Sequence, residues 1–217
     1  DTSAIARLLT GTSSAMMLSR AIDQGTLSDE VFAESLRQAM EQPDPQIRDL
    51  FERFLSEDQR VKRLGREFDV ETVLKLAGRA AVGRADFLTS SSLQCRNCHR
   101  LGTQGRSLGP DLDGIGKKYS RMQLLDSIMN PSKNIDPKFM AHLVETTDGR
   151  VFTGLLVKKD QDEVVLKDAQ AKELRFAADA IELLVPQQKS LMPDLLWQEM
   201  TAQELADLLA FLMSLKS

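Results

Sequence analysis

Two of the 217 residues are Cys and two are His, and three of those four fall within Cys95-Arg96-Asn97-Cys98-His99. Two cysteines three positions apart sit on neighbouring turns of a short helix, with the next residue pointing another way. Thiols so placed can add to the two vinyl groups of one porphyrin, each S–H crossing a carbon–carbon double bond to leave a thioether. The adjoining imidazole then reaches the iron from the same side, which is the signature of covalent haem attachment. Three other readings stand beside it. Cys95, Cys98, His99 and His142 add up to a Cys2His2 zinc set, although three ligands so close in sequence strain a tetrahedral cage. A redox dithiol should follow a strand and open a helix, whereas a helix and the Ser-rich turn Ser90–Ser92 come before this pair. The third is a pair of buried, inert thiols. A structural disulfide network is excluded, since two such cysteines close at most one small loop.

A hexacoordinate iron needs a second axial ligand. Among the nine Met, Met16, Met17, Met40, Met122, Met129 and Met213 fall in helical patterns and read as core filler. Met192 differs, because it lies in Ser190-Leu191-Met192-Pro193, and the residue before a proline is pushed into extended backbone. An extended segment can lay a thioether across a haem face. Met192 is therefore the first candidate, with His142, Met200 or an open position as alternatives. A ligating His gives its other ring N–H to a carbonyl, and Pro110, in the rigid turn Leu108-Gly109-Pro110, offers one. Tyr119 and Trp197, the only Tyr and Trp, carry polar handles that could meet a propionate, or are ordinary half-buried aromatics. Leu93, Leu108, Leu112, Ile115, Leu124, Leu125, Ile128 and Leu191 are candidates for an apolar shell. Arg96, Arg100, Arg106, Lys117 and Lys118 form a local basic patch that meets propionates, an acidic partner or only water.

The elements that must hold these residues are mostly helical. Residues 1–66 repeat apolar positions every three or four residues throughout, broken at Gly11, Gly25 and Pro43-Asp44-Pro45. They predict short helices, solenoid-like in arrangement, with Ser28 as an N-cap and Pro45 in a first turn. Further helices are expected from Asp69, up to Phe87 and Leu88, and from Ser120 to Met129, where Ser120 and Gln123 make a capping box. Between them, glycines from Gly102 to Gly116 mark a loop that is neither regular helix nor strand. From about Ala141 the pattern alternates. Asp148-Gly149 signals a hairpin, and strands are expected at 163–167, 173–176 and 181–185, making a small curled sheet or barrel. Thr201 and Glu204 form another capping box before the stripe Leu205, Leu208, Leu209, Leu212 and Leu215. The fold class is therefore mainly α with an inserted small β module (α+β): a helical region over 1–66, then a domain over 67–217 that carries the β module at 141–185.

Composition bounds the function. With 28 basic and 32 acidic side chains the net charge is −4 and the pI near 5.3, which argues against a nucleic-acid binder with a broad basic footprint. No stretch approaches the roughly 20 uncharged apolar residues of a membrane span. The first thirty residues lack a basic region followed by an apolar one, and the chain opens at Asp1 rather than Met, so it reads as a processed protein or a piece of a larger one.

Several motifs taken together resemble class I cytochrome c: Gly83-x-x-x-Phe87 ahead of Cys95-x-x-Cys98-His99, then Gly109-Pro110-Asp111-Leu112, Met192-Pro193, and a closing helix with Phe211. The resemblance is closer to the haem-binding domain that ends many large multidomain proteins of planctomycetes. It rests also on Asn130-Pro131-Ser132-Lys133, Thr147-Asp148-Gly149-Arg150 and Gln187-Gln188-Lys189-Ser190-Leu191, and it covers roughly residue 50 to the end. It implies a cytochrome c fold whose first and last helices cross at Gly83, Phe87 and Phe211, with Pro110 holding the proximal histidine and Met192 as distal ligand. It implies one covalent haem c anchored by Cys95 and Cys98. By the same analogy residues 1–66 are the tail of a solenoid, and the electrons come from a fused dehydrogenase domain or a redox partner protein. One departure is Ala169-Gln170-Ala171, where a hairpin glycine is expected.

The expected function is outer-sphere electron transfer, with no catalytic residue, in a periplasmic or otherwise extracytoplasmic location, where covalent haem is assembled. Two alternatives are a haem-based enzyme or sensor with a displaceable sixth ligand, and a partner-docking module whose haem is structural.

Overall fold

The computed structural model describes residues 2–42, 44–65, 68–90 and 93–216, so Pro43, Ser91 and Ser92 of the expected turns lie outside the described residues. The chain divides into two units, 1–62 and 63–217. The first holds α1 (Thr2–Leu8), α2 (Thr12–Asp23), α3 (Asp29–Met40) and α4 (Pro45–Glu52), with Ser28 as the N-cap of α3 and Pro45 in the first turn of α4, as expected. The Ser28 hydroxyl accepts the Val31 N–H and the Asp44 carboxylate accepts that of Gln46, each satisfying a donor the helix leaves orphaned. Leu9, Ala15, Ala39 and Phe51 are fully buried at the centre. Helix ends at Glu52, so the expectation of helix throughout 1–66 fails over 53–65. Phe54 still packs edge-on against Phe32, so its apolar spacing reflects burial by a turn rather than continued helix. Met16 and Met17 are not core filler either: they are 57% and 70% exposed, on the face of α2 that points away from that core.

The second unit opens with residues 63–65, which bond back to the chain near its end: Arg63 bridges Thr201 and the Leu64 N–H donates to the Met200 carbonyl. Then follow α5 (Val70–Lys75) and α6 (Ala80–Thr89), a short ladder of β1 (Arg100–Leu101) with β2 (Gln104–Gly105), the single turn α7 (Ile115–Lys118) and α8 (Arg121–Met129). The ladder and α7 occupy the glycine-rich stretch expected to be irregular. Gly105 and Gly116 are accommodated within them because tertiary contacts, not propensity, decide such short pieces. Both expected capping boxes form, at Ser120 with Gln123 on α8 and at Thr201 with Glu204 on the closing helix α9 (Ala202–Ser214). Met122 on α8 is 49% exposed, a third methionine that does not fill the core.

Helices α6 and α9 pack closely. A Cβ on Gly83 would lie 2.1 Å from the Asp207 carbonyl oxygen, so only glycine lets the backbones approach this far. One turn on, the Phe87 and Phe211 rings meet at 5.7 Å. The core around this crossing joins Val73, Leu93 and Leu125 to Leu205, Leu209 and Phe211, so it is built from both sides of the intervening β segment.

That segment is an antiparallel sheet of β3 (Ala141–Thr146), β4 (Val151–Lys159), β5 (Glu163–Lys167), β6 (Glu173–Ala177) and β7 (Ile181–Pro186), in the order β6-β5-β4-β3-β7. The chain turns at Asp148-Gly149, with Gly149 at φ 79°, as the sequence signals. The two outermost strands are joined by Ala178–Ala180 alone. Laid flat, their separation would be roughly 19 Å, beyond the roughly 14 Å that so short a link can span. The sheet must curl, and it does: Phe152 of β4 and Phe176 of β6, on either side of β5, bring their rings within 4.9 Å. Val144, Val164 and Leu166 form its separate core. The molecule is thus mixed helix and sheet. Among the described residues no helix is long and apolar enough to cross a membrane.

Candidate functional site

The five-residue motif sits on a tight turn just beyond α6. Gln94 takes up left-handed backbone at φ 49°, and Cys95–Asn97 form one 3-10 turn. The Cys95 carbonyl accepts the N–H groups of both Cys98 and His99. The following loop folds back, so the Cys98 carbonyl accepts from Leu108 and Gly109 at 2.9 and 2.8 Å. This return brings Gly109 against the imidazole, where a Cβ would stand 2.7 Å from His99 Cε1. It also sets the Pro110 carbonyl 2.9 Å from His99 Nδ1. A carbonyl only accepts, so Nδ1 carries the proton and Nε2 presents a bare lone pair. Burial lowers the His99 pKa and the Pro110 bond opposes it only in part, so the ring is held neutral.

His99 and Met192 line the same two adjoining cavities, of about 130 and 350 Å³, which together reach the range of roughly 300–1,000 Å³ used by ligand sites. The inner one is walled by Cys95, Leu112, Leu124 and Ile128 from the motif side and by Leu208 and Leu212 of α9. The outer one adds Cys98, Arg106 and Leu191, with Ala169 and Gln170 from the turn between β5 and β6. Arg106 Nη1 donates to the Gln170 carbonyl at 2.6 Å, which ties that turn to the motif loop. The turn lacks the hairpin glycine, and Ala171 adopts φ 63° in its place, a strained conformation for a residue with a Cβ.

The structure thus brings Cys95, Cys98, His99, Pro110 and Met192 to one place, and Tyr119 also lines the inner cavity. Trp197 lies in the adjacent core, its ring 5.1 Å from that of Phe68, and its buried Nε1 has no hydrogen-bond partner among the described residues. His142 is elsewhere, on β3, with Nδ1 3.1 Å from the Met140 carbonyl. Met200, 2% exposed, lines the inner cavity beside Met192. Of the expected shell, Leu93, Leu112, Ile115, Leu124, Ile128 and Leu191 line the cavities, whereas Leu108 and Leu125 are buried without lining them. Leu196, Leu208 and Leu212 escaped the sequence reading of the site. Their apolar spacing marks them as buried and carries nothing about what they face. In the basic patch, Arg100 pairs with Asp111 and Lys118 Nζ lies 5.6 Å from the Tyr119 ring centroid.

The geometry weighs on the rival readings. Among the described residues no group of three or more His, Cys, Asp or Glu could hold a metal ion, so Cys95, Cys98, His99 and His142 do not converge into a zinc cage. Burial pushes the Cys95 thiol up to about 11 and raises Cys98 as well, against the pull of Arg106. A reactive dithiol needs the opposite, a thiol lowered toward neutrality. A scan of this chain against protein-family models finds no match, and a search of curated proteins finds none either.

Proposed function

We propose that the second unit is a monohaem c-type cytochrome domain of the class I type, an electron carrier with a β module inserted between α8 and α9. The observation that carries the reading is the placing of His99. Its Nδ1 stands 2.9 Å from the Pro110 carbonyl, and its ring lines a cavity together with Met192, Cys95 and Cys98. The residues fit the group. The inner wall is almost wholly apolar, two protonated thiols stand ready for addition across vinyl bonds, and Gly109 leaves the imidazole the space it needs.

Bound there, haem c supplies a one-electron Fe(III)/Fe(II) couple. The chain's residues do the rest. Cys95 and Cys98 would anchor the macrocycle, His99 and Met192 would hold the iron through imidazole and thioether, and the apolar wall would exclude water, which together would raise the reduction potential. The electron donor is a redox partner protein or a fused dehydrogenase domain, and the location is extracytoplasmic because covalent attachment takes place there. Absorption spectra of the oxidised and reduced protein, with its intact mass, test the reading. One haem added to the chain mass and resistance to acidic acetone extraction are expected. A colourless protein of bare chain mass, made alongside a working attachment system, overturns it.

A further inference from the structure

The segment that carries Met192 runs from 187 to 195 between β7 and a 3-10 turn at Leu196–Glu199, with no regular structure of its own. It is gripped from Asn130-Pro131-Ser132-Lys133, beyond the end of α8. The Ser132 hydroxyl donates to Asp194 Oδ1 at 3.1 Å and accepts the Ser190 N–H at 3.1 Å. These two grips fall two residues before and two residues after Met192. Inside the segment the Ser190 hydroxyl accepts the Met192 N–H at 3.1 Å, and Lys189 Nζ stands 3.5 Å from Asp194 Oδ2. Ser132 is itself fixed to α8: Asn130 Nδ2 and Lys133 Nζ both bond Asp126, at 2.8 and 2.9 Å. The same helix supplies Leu124 and Ile128 to the cavity wall. One hydroxyl, with one proton and two lone pairs, can make both bonds at once.

We infer that Ser132 is a positioning residue for Met192, a hydroxyl staple that keeps the thioether on the cavity it shares with His99. The inference rests on Met192 being the distal ligand. A thioether on an extended, irregular segment is otherwise free to leave, and the staple fixes the backbone on both sides of it. This gives the Asn-Pro-Ser-Lys stretch a role: Asn130 and Lys133 tie it to α8, and Ser132 reaches across to residues 58 and 62 positions further on.

The test uses the haem-loaded protein and titrates it with imidazole, which displaces a protein thioether. Ser132→Ala is expected to bind imidazole about tenfold more tightly than wild type, the scale set by losing one or two hydrogen bonds, and to weaken the thioether-to-iron charge-transfer band. Ser132→Thr keeps the hydroxyl and should titrate within about twofold of wild type. Asp194→Ala removes one grip and should shift the titration in the same direction by less. Ser132→Ala curves that superimpose on wild type overturn the inference, as does a Ser132→Thr loss equal to that of Ser132→Ala. If Met192→Ala leaves the wild-type band unchanged, the ligand assignment itself fails, and the staple with it.

Discussion

Asp207, in the middle of α9, closes the N-terminal end of α6 from 128 residues away. Its Oδ1 accepts the backbone N–H of Arg79 at 2.7 Å, and its Oδ2 accepts Arg79 Nη2 at 2.7 Å. The carboxylate is fully buried, and Gln203 Nε2 adds a third bond at 2.7 Å. Arg79 is the N-cap residue of α6 and has no side-chain cap of its own, so a residue of another helix does that work at the crossing where Gly83 meets the α9 backbone.

Removing that carboxylate should loosen the crossing. Asp207→Ala is expected to destabilise by about 2 kcal/mol, roughly 4–8 °C in Tm, measured by thermal unfolding at neutral pH. The pH dependence has a definite sign. Burial alone would raise the Asp207 pKa, but the Arg79 guanidinium, its backbone N–H and the Gln203 amide outweigh it and hold the carboxyl below its ordinary value. A depressed folded-state pKa gives stability that is complete above the unfolded value and lost as pH falls through the folded one. Wild type should lose stability on acidification into and below the ordinary carboxylate range, and Asp207→Ala should lose less over the same interval.

Asp86 behaves in the opposite way. Its Oδ2 is buried with no hydrogen-bond partner among the described residues, and burial, then the charges of Glu204 and Asp207, raise its pKa. A raised carboxyl opposes folding increasingly as pH rises through its ordinary range. Asp86→Asn should therefore raise Tm at pH 7 by about 2–4 °C and have little effect near pH 3. A lower Tm for Asp86→Asn at pH 7 would show that the carboxylate is satisfied in solution.

Gly109→Ala tests the proximal side. Its backbone does not need the left-handed region, so the cost is purely the contact of the new Cβ with His99, at 2.7 Å from Cε1. The imidazole or the loop must shift. With haem attached through Cys95 and Cys98, the expected result is covalent haem retained with at least half of the normal low-spin signal lost, read by absorption and electron paramagnetic resonance.

Met192→Ala tests the distal side. A high-spin or ligand-exchanged haem is expected, with a potential lower by on the order of 0.1–0.3 V within the roughly 0.8 V range that axial ligands span. Spectroelectrochemistry measures it, and an unchanged potential would move attention to Met200, which lines the same inner cavity.

Arg106→Ala releases the turn between β5 and β6, which borders the outer cavity through Ala169 and Gln170. Solvent exposure is one of the levers on haem redox behaviour. Reduction by a small hydrophilic reagent should become several-fold faster, followed by stopped-flow absorbance, with the axial ligand bands unchanged.

Much of this was legible in the sequence where the deciding forces are local. Caps at Ser28, Ser120 and Thr201 and the turn at Asp148-Gly149 depend on hydrogen bonds that reach only a few residues along the chain. Expectations failed where a local pattern met a tertiary choice. Met16, Met17 and Met122 follow helical spacing yet face water, because spacing says that a residue lies on a helix and not which way the finished helix turns.

The amino-acid sequence by itself determined the donor types and their order: two thiols and an imidazole on one turn, a carbonyl after the Gly109-Pro110 step, and a methionine before a proline. Only the tertiary structure decided that these share a cavity, that Leu208 and Leu212 of α9 form its far wall, and that Ser132 and Asp207 hold distant segments in place. The reason is physical. Bonding rules between near neighbours are written in residue types, whereas contacts across 58 to 128 positions arise only when whole faces bury each other, and no single residue type announces its partner there.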